Sequence, residues 1–254
     1  MSHETLVWSC GGGTQSGCIA ALIGAGELPR PDYAFMTDTG REKSGTWPFV
    51  DGFIRPQLAR VGLELTIVKK TDFCEIDLFS AATNSVLLPG YTDQSGEVGK
   101  LQGWCSGRWK RDVAERWMRS IGIETATNWI GISLDEMRRV RSQHRSWLKV
   151  DYPLIFIVRY TRQKCVERIR GAGWLGPIPH SACYMCPNMS DAEWLDMKIN
   201  FPADFAAACA LEIEVQKVDP HFWLHPACMP LASVDFTAQY TMFADRGCTT
   251  GCFT

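Results

Sequence analysis

Short apolar runs alternate along the chain with longer stretches whose apolar residues recur at helical spacing. The runs that predict strands cover residues 6–8, 33–36, 63–68, 128–133 and 152–158. Helices are predicted from residue 18 onwards, at 46–60, up to residue 119, at 191–198 and at 203–217. Alternation of this kind up to about residue 170 predicts an α/β fold, with a mostly parallel sheet and helices on both faces.

The pattern changes after that point. Residues 171–179 are dense in glycine and proline, and the part beyond the two last helices carries aromatic residues, prolines and a cysteine-containing tail. We therefore predict an α/β domain over residues 1–170 and a C-terminal cysteine-rich extension over 171–254 packed on the same domain. Residues 84–103 predict a long loop, a feature that in compact domains is usually functional or mobile.

Composition narrows the class of protein. The 254 residues are 46% hydrophobic and 21% charged, with a formal net charge of −2, so no global basic field attracts nucleic acid. No apolar run approaches the ~20 residues of a membrane span, and a strand-like run begins almost at the N-terminus. These features predict a cytoplasmic protein without a membrane partner. In a reducing cytosol, eleven cysteines favour metal binding or redox chemistry over a disulfide framework.

A glycine-rich stretch directly follows the first strand-like run. It reads Ser9-Cys10-Gly11-Gly12-Gly13-Thr14-Gln15-Ser16. Glycines allow the backbone to approach a ligand closely, and the N–H groups of such a loop and of the next helix bind anions, with hydroxyl groups as further donors. A plain glycine turn is the alternative, but the position after the first strand favours phosphate binding. The stretch matches neither the P-loop of kinases and GTPases nor the dinucleotide fingerprint.

A second polar segment follows the second predicted strand. It contains Asp38, Thr39, Gly40 and Glu42, at the strand end where open α/β sheets place ligand contacts. An acidic turn that caps the next helix is the alternative. Further along, the basic stretch 138–149 is either a solvated face or a contact for phosphate, sulfate or a nucleic-acid backbone.

The cysteines offer a candidate metal or redox site. Cys183 and Cys186 form a C-x-x-C element followed by proline, whose two thiolates can face one metal ion. The element alone fits zinc, an iron–sulfur cluster or a dithiol. Cys248 and Cys252 in the tail could add ligands or form a persulfide relay or resolving dithiol of their own.

The glycine stretch resembles the loop of the adenine-nucleotide α-hydrolases, the PP-loop ATP pyrophosphatases, and is most similar to the phosphoadenosine-phosphosulfate (PAPS) reductase branch found in many short bacterial and phage proteins. The resemblance implies a Rossmann-like sheet and binding of ATP or a PAPS-type nucleotide. The residues it assigns to the nucleotide are Ser9, Gly11, Gly12, Gly13, Thr14, Gln15, Ser16, Asp38, Thr39, Gly40 and Glu42. Many ATP-cleaving members carry Asp at the position of Gln15, so the resemblance implies nucleotide binding more directly than magnesium-assisted cleavage.

The resemblance extends to the cysteines. In iron–sulfur adenylylsulfate reductases a cysteine pair precedes a basic element, and a C-x-x-C follows. Here Cys105 stands first in that pair, Ser106 replaces the second cysteine, and Lys110 keeps the basic element. The resemblance thus implies a [4Fe–4S] cluster on Cys105, Cys183, Cys186 and a tail cysteine, Cys252 or Cys248. An open iron site and a structural zinc site on Cys183, Cys186, Cys248 and Cys252 remain alternatives.

Three functions are consistent with these features. The first is ATP-dependent adenylation of an acceptor, such as a nucleic-acid base, followed by sulfur transfer from a donor protein through the cluster or the tail cysteines. Lys110 and Arg108 would neutralise the departing group, and Cys248 and Cys252 would carry sulfur. The second is PAPS or adenylylsulfate reduction with a tail cysteine as nucleophile, although the tail lacks the reductase Glu-Cys-Gly-Leu-His ending. The third is a non-catalytic regulatory or defence component with a structural zinc ion.

Overall fold

A computed structural model describes residues 4–79, 85–140 and 145–238. The strands in chain order are β1 (Thr5–Ser9), β2 (Tyr33–Asp38), β3 (Leu65–Lys69), β4 (Gly90–Thr92), β5 (Gly99–Leu101), β6 (Ala126–Ile130), β7 (Leu148–Asp151) and β8 (Phe222–Trp223). The main helices are α1 (Thr14–Gly24), α2 (Thr46–Phe49), α3 (Arg55–Ala59), α4 (Asp112–Ser120), α5 (Pro153–Phe156), α6 (Arg162–Gly171), α7 (Asp191–Asn200) and α8 (Pro202–Gln216). A π-helical segment (Val50–Ile54) joins α2 to α3, another (Ser106–Arg111) precedes α4, and a 3₁₀ segment (Leu134–Arg139) follows β6.

Five strands form a parallel sheet in the order β3-β2-β1-β6-β7. The chain builds outward from β1 through β2 to β3, then returns to the other side of β1 with β6 and β7. Ser9, the last residue of β1, lies opposite Phe35 of β2 and Ile130 of β6. All carboxyl ends therefore meet at one edge, and the strand order reverses between β1 and β6, where open α/β sheets bind ligands.

Helices cover both faces of this sheet. Alternate strand residues point to opposite sides, so Val7 and Phe35 enter one apolar core while Trp8 and Met36 enter the other. The first core contains residues of α4, α7 and α8, and the second contains residues of α1, α3 and α6. The predicted α/β class with a mostly parallel, Rossmann-like sheet is confirmed. Among the described residues, every helix is too short or too polar to cross a bilayer.

The expected fifth strand at residues 152–158 is wrong in position. The strand β7 ends at Asp151, and α5 follows at once because Pro153 occupies its first turn. Proline has the φ angle of a helix start and holds the preceding residue extended, and Tyr152 has φ −126°. The apolar residues Leu154 and Ile155 are buried as a helical turn beneath the sheet edge rather than as a strand.

The expected long loop at residues 84–103 contains a β-hairpin. The strands β4 and β5 pair antiparallel, and β8 adds to the other side of β4, giving a second sheet of three short strands. Gly96 closes the turn with φ +81°, and its N–H donates to the Asp93 carbonyl over 2.9 Å. Strands of three residues that begin with glycine carry too little apolar pattern to be visible in a sequence.

Candidate functional site

The glycine stretch forms a tight loop between β1 and α1. Gly12 has φ +74°, and a Cβ there would come within 2.8 Å of Thr46 Cγ2, so this position requires glycine. The Gly11 N–H donates to Ser16 Oγ over 2.8 Å, which closes the loop on the first turn of α1. The loop thus brings the start of α1 directly over the carboxyl end of β1.

The start of α1 offers hydrogen-bond donors. Its N-cap residue is Gly13, which has no side chain to cap the helix, and the Thr14 N–H donates to the Pro179 carbonyl over 3.1 Å. Within the described part of the chain, the N–H groups of Gly13, Gln15 and Ser16 have no acceptor. Unpaired N–H groups at the positive end of a helix dipole favour an anion, and phosphate is the usual one.

A pocket lies at the carboxyl ends of β1 and β2, and its empty space of about 320 Å³ includes space that is open to solvent. Its lining residues are Ser9, Cys10, Gly11, Phe35, Met36, Thr37, Glu42, Lys110 and Ala114. Lys110 is the cation of this lining and comes from the π-helical segment before α4. From three separate places in the chain, the sequence predicts that Ser9, Gly11, Glu42 and Lys110 contribute to one site, and these four residues line one pocket.

Glu42 is nine-tenths buried at this pocket. Its Oε1 accepts a hydrogen bond from Thr39 Oγ1 over 3.0 Å, whereas its buried Oε2 has no hydrogen-bond partner among the described residues. Asp38 and Gly40 do not line the pocket. The Asp38 carboxylate instead accepts the Gly40 N–H over 2.7 Å, a local turn in which Gly40 has φ +73°.

Cys183 lies beside these residues. Its sulfur is 3.5 Å from Thr39 Oγ1, and its backbone forms a β-bridge with Glu42. Burial, reinforced by the Glu42 carboxylate, raises the pKa of the Cys183 thiol to about 12, and the nearby Lys110 acts in the opposite direction. In the free protein Cys183 is therefore a neutral thiol beside Glu42, which lines the pocket.

The segment from residue 179 to 186, here called the cysteine segment, is held against the glycine loop. The Ser181 hydroxyl donates to the Gly11 carbonyl, and the Tyr184 N–H donates to the Arg41 carbonyl over 3.0 Å. A Cβ on Gly13 would come within 2.7 Å of the Ser181 nitrogen. The third glycine of the loop thus provides room for the cysteine segment, a contact that the sequence analysis did not foresee.

Gln15 points away from the pocket towards the end of β6. Its amide donates to Ser133 Oγ over 3.4 Å and to the Glu136 carboxylate. Glu136 also accepts a hydrogen bond from Arg139 over 2.6 Å, so both of its carboxylate oxygens have hydrogen-bond partners. On the same side, Ser9 Oγ donates to Asn128 Oδ1 over 3.0 Å. Gln15 therefore joins the loop to β6 at the point where the strand order reverses.

A network missed by the sequence analysis supports the segment that carries Lys110. Asp77 accepts two hydrogen bonds from Arg41, at 2.8 and 2.9 Å, and one from Lys70 at 2.6 Å. Both cations lie over the ring of buried Trp109, at 5.2 and 4.7 Å from its centre. Partial burial alone would raise the pKa of Asp77, but the Arg41 and Lys70 hydrogen bonds hold it below its ordinary value. No sequence motif indicates such a network, because its members come from three separate segments.

The predicted basic residue Arg108 and the predicted metal ligands do not line the pocket. Arg108 is largely exposed and pairs with Asp112 at 3.4 Å rather than lining the pocket. The thiols of Cys105, Cys183 and Cys186 all border the core formed with α4, α7 and α8.

No metal site is complete in this part of the molecule. In the ranges 4–79, 85–140 and 145–238, no three His, Cys, Asp or Glu residues are grouped so that they could hold a metal ion. Cys248 and Cys252 lie outside the described residues. The described residues therefore do not by themselves fit an iron–sulfur cluster or a zinc site.

No protein-family model and no curated protein sequence matches the chain. Among solved structures, the chain is similar to the U34-tRNA thiolase NcsA from Methanococcus maripaludis with its [4Fe–4S] cluster, at 13% sequence identity and a TM-score of 0.44. The alignment covers 92% of this chain and 73% of the thiolase. A likeness of this size carries no weight in the assignments made from the geometry.

Proposed function

We propose that this protein binds an adenine nucleotide at the glycine loop and uses it in sulfur chemistry, by adenylating an acceptor that then receives sulfur. One observation carries this proposal. The Cys183 sulfur lies 3.5 Å from Thr39 Oγ1 and its backbone pairs with Glu42, and Glu42 and Lys110 line the pocket at the end of β1 and β2. A sulfur atom and a phosphate-type site therefore lie side by side.

The phosphate part of the proposal rests on the donors at the start of α1. The unpaired N–H groups of Gly13, Gln15 and Ser16 would donate hydrogen bonds to phosphate oxygens, and Lys110, which lines the same pocket as Gly11, would neutralise the phosphate charge. These donors are fixed before the ligand arrives, so they can stabilise charge that develops on the transferring phosphate without reorganising. The adenine identity of the base comes from the resemblance of the loop.

The proposed reaction consists of two successive displacements. An acceptor oxygen attacks the α-phosphorus of ATP, the bond to the β-phosphate bridge breaks, and pyrophosphate leaves. A sulfur nucleophile then attacks the activated carbon, and AMP leaves with the former acceptor oxygen. The attacking atom is the outer sulfur of a persulfide on Cys183, Cys248 or Cys252, received from the persulfide of a donor protein. A second of these cysteine thiols then attacks the inner sulfur, so the thiolated acceptor leaves and the two cysteines remain as a disulfide. No step is assigned to a cluster, because the described residues do not complete one.

A nucleic-acid base is the acceptor that the surface favours. Phe156 is 62% exposed and Ile157 50% exposed, just after the carboxyl end of β7. Arg159 follows with φ +55°, a conformation that non-glycine residues rarely adopt and that is often found at functional sites. Arg159 and Arg138 have no ion pair or hydrogen bond in the described part of the protein. Exposed aromatic rings and unpaired guanidinium groups suit stacking on bases and contact with phosphates.

Reduction of a sulfated adenine nucleotide is the second candidate, and Gln15 favours it. Many ATP-cleaving proteins with a loop of this kind carry Asp at this position, whereas here the Gln15 amide donates hydrogen bonds to Glu136 and Ser133. In that reaction a thiolate of Cys248 or Cys252 attacks the sulfate sulfur, the adenosine phosphate leaves, and a dithiol protein then releases sulfite while it is oxidised to the disulfide.

Two parallel assays separate the candidates. In the first assay, purified protein is incubated with ATP, sulfide and total RNA, and the release of pyrophosphate is measured. In the second assay, it is incubated with PAPS and reduced thioredoxin, and the release of sulfite is measured. We expect pyrophosphate release that depends on RNA and is lost in Lys110→Ala. Sulfite without pyrophosphate would replace the first candidate by the second. Nucleotide binding without either product would assign a regulatory role, and absence of nucleotide binding would refute the proposal altogether.

A further inference from the structure

Glu42 is a buried carboxylate with an unused oxygen, and this observation is unexplained by the nucleotide contacts above. Thr39 satisfies Oε1, and the second oxygen is buried without a hydrogen bond from any described residue. Leaving a buried charged acceptor unsatisfied costs more than an ordinary missing hydrogen bond. Such an oxygen in a ligand pocket indicates a cationic or donor group that arrives with the ligand.

The charges around the pocket indicate which kind of group could contact this oxygen of Glu42. Among the described lining residues, Glu42 is the carboxylate and Lys110 the cation. A nucleotide phosphate held by the start of α1 would bring further negative charge towards Glu42, because Gly11 of the glycine loop and Glu42 line the same pocket. Two anions in one partly closed pocket repel each other unless a cation lies between them.

A divalent cation meets this requirement with few protein ligands. Magnesium in nucleotide sites is bound by one or two carboxylates together with substrate phosphates and waters, not by a complete protein cage. The absence of a preformed group of three ligands among the described residues is compatible with that arrangement. Glu136, the nearest alternative near the loop, is already engaged by Gln15, Ser133 and Arg139.

We propose that Glu42 is the protein carboxylate that binds a divalent cation together with the nucleotide phosphates, in the role that a loop aspartate would fill if Gln15 were acidic. This inference rests on the proposed nucleotide site. It assigns to Glu42 a contact with the metal ion rather than with the base or ribose. The cation supplies charge neutralisation and orientation of the phosphates when bound.

The test compares nucleotide affinity with and without the metal. Isothermal titration of a non-hydrolysable ATP analogue is performed in EDTA and in magnesium for the wild type, Glu42→Gln, Glu136→Gln and Glu64→Gln. Glu64 is an exposed carboxylate before β3 and serves as the matched control. Manganese, monitored by electron paramagnetic resonance, reports directly on the bound cation.

We expect magnesium to tighten binding to the wild type at least tenfold, and to have little effect on Glu42→Gln. In EDTA, Glu42→Gln should bind the analogue as tightly as the wild type or more tightly, because a repelling charge is gone. This result also shows that the variant is folded. The bound-manganese signal should persist in Glu64→Gln and Glu136→Gln and disappear in Glu42→Gln.

Two results would overturn the inference while leaving the nucleotide site intact. One is an equal gain from magnesium in the wild type and in Glu42→Gln, which would make Glu42 a counterion of Lys110. The other is loss of bound manganese in Glu136→Gln rather than in Glu42→Gln. Failure of the wild type to bind the analogue in either buffer would instead refute the proposed function, and the inference with it.

Discussion

Substitution of Gly13 by alanine tests the contact between the glycine loop and the cysteine segment. The new Cβ would lie 2.7 Å from the Ser181 nitrogen, 2.9 Å from its Cβ and 3.2 Å from the Pro179 carbonyl oxygen. Backbone atoms cannot move aside as a flexible side chain does, so the cysteine segment must shift. Overpacking of this kind costs about 1–3 kcal/mol. Loss of the Thr14–Pro179 hydrogen bond adds about 1 kcal/mol, so we expect Gly13→Ala to lower the free energy of unfolding by about 2–4 kcal/mol.

The assay is urea unfolding, with Gly171→Ala as the matched control. Gly171 ends α6 without a positive φ, and nothing lies within 4 Å of a Cβ there, so alanine should be neutral or slightly stabilising. Labelling of Cys183 by a maleimide should also become faster in Gly13→Ala, because its segment has moved. Neutral substitutions change the free energy of unfolding by up to about 0.5 kcal/mol. A change in Gly13→Ala that stays within this range, together with unchanged labelling of Cys183, would refute the reasoning.

Three further outcomes are expected. Lys110→Ala should weaken nucleotide binding by about 1.5–3 kcal/mol, roughly 10–100-fold, in a calorimetric titration, and an unchanged affinity would remove Lys110 from the site. Partial burial would raise the pKa of Glu193, but the hydrogen bond from His180 lowers it from 4.5 to about 2. The ionised Glu193 carboxylate therefore stabilises the folded protein above the unfolded pKa, and this stabilisation is lost as pH falls from 4.5 towards 2. Glu193→Gln should therefore lower the free energy of unfolding by about 1–2 kcal/mol at pH 7 after allowance for solvent screening. The urea midpoints of variant and wild type should converge at low pH, and a difference between them that is independent of pH would contradict this prediction. Any iron or zinc retained by anaerobically purified protein should be lost in Cys252→Ala as well as in Cys183→Ala, and full metal content in Cys252→Ala would show that the tail ligand is not needed.

The sequence was sufficient for the sheet because each parallel strand is a short apolar run followed by a helix. It misplaced the last strand because an apolar run does not show whether it is extended or helical when a proline interrupts it, as Pro153 does. The hairpin of β4 and β5 was missed because three-residue strands have almost no period. Its partner β8 lies more than one hundred residues further along, at Phe222–Trp223, and such a pairing depends on packing that no local pattern encodes.

The site was partly predictable for a similar reason. Loop residues such as Gly12 are marked by the glycine run itself, and Glu42 follows a strand end, so both carry a local signal. The contact of Ser181 with Gly11 and the sharing of Asp77 between Arg41 and Lys70 join distant segments. Single polar residues of this kind look like ordinary surface residues until the fold brings them together.

Protection of Cys183 by ATP tests the central claim most directly, since that claim places the nucleotide phosphates beside this thiol. The protein is labelled with N-ethylmaleimide with and without saturating ATP, and modification of each cysteine is followed by peptide mass spectrometry. Cys209 on α8 borders the same core as Cys183 but is not among the residues that line the pocket, so it provides the internal control. We predict that ATP slows modification of Cys183 several-fold and leaves Cys209 unchanged, because the ligand covers the pocket and neutralises Lys110. Equal rates at Cys183 with and without ATP would contradict the account.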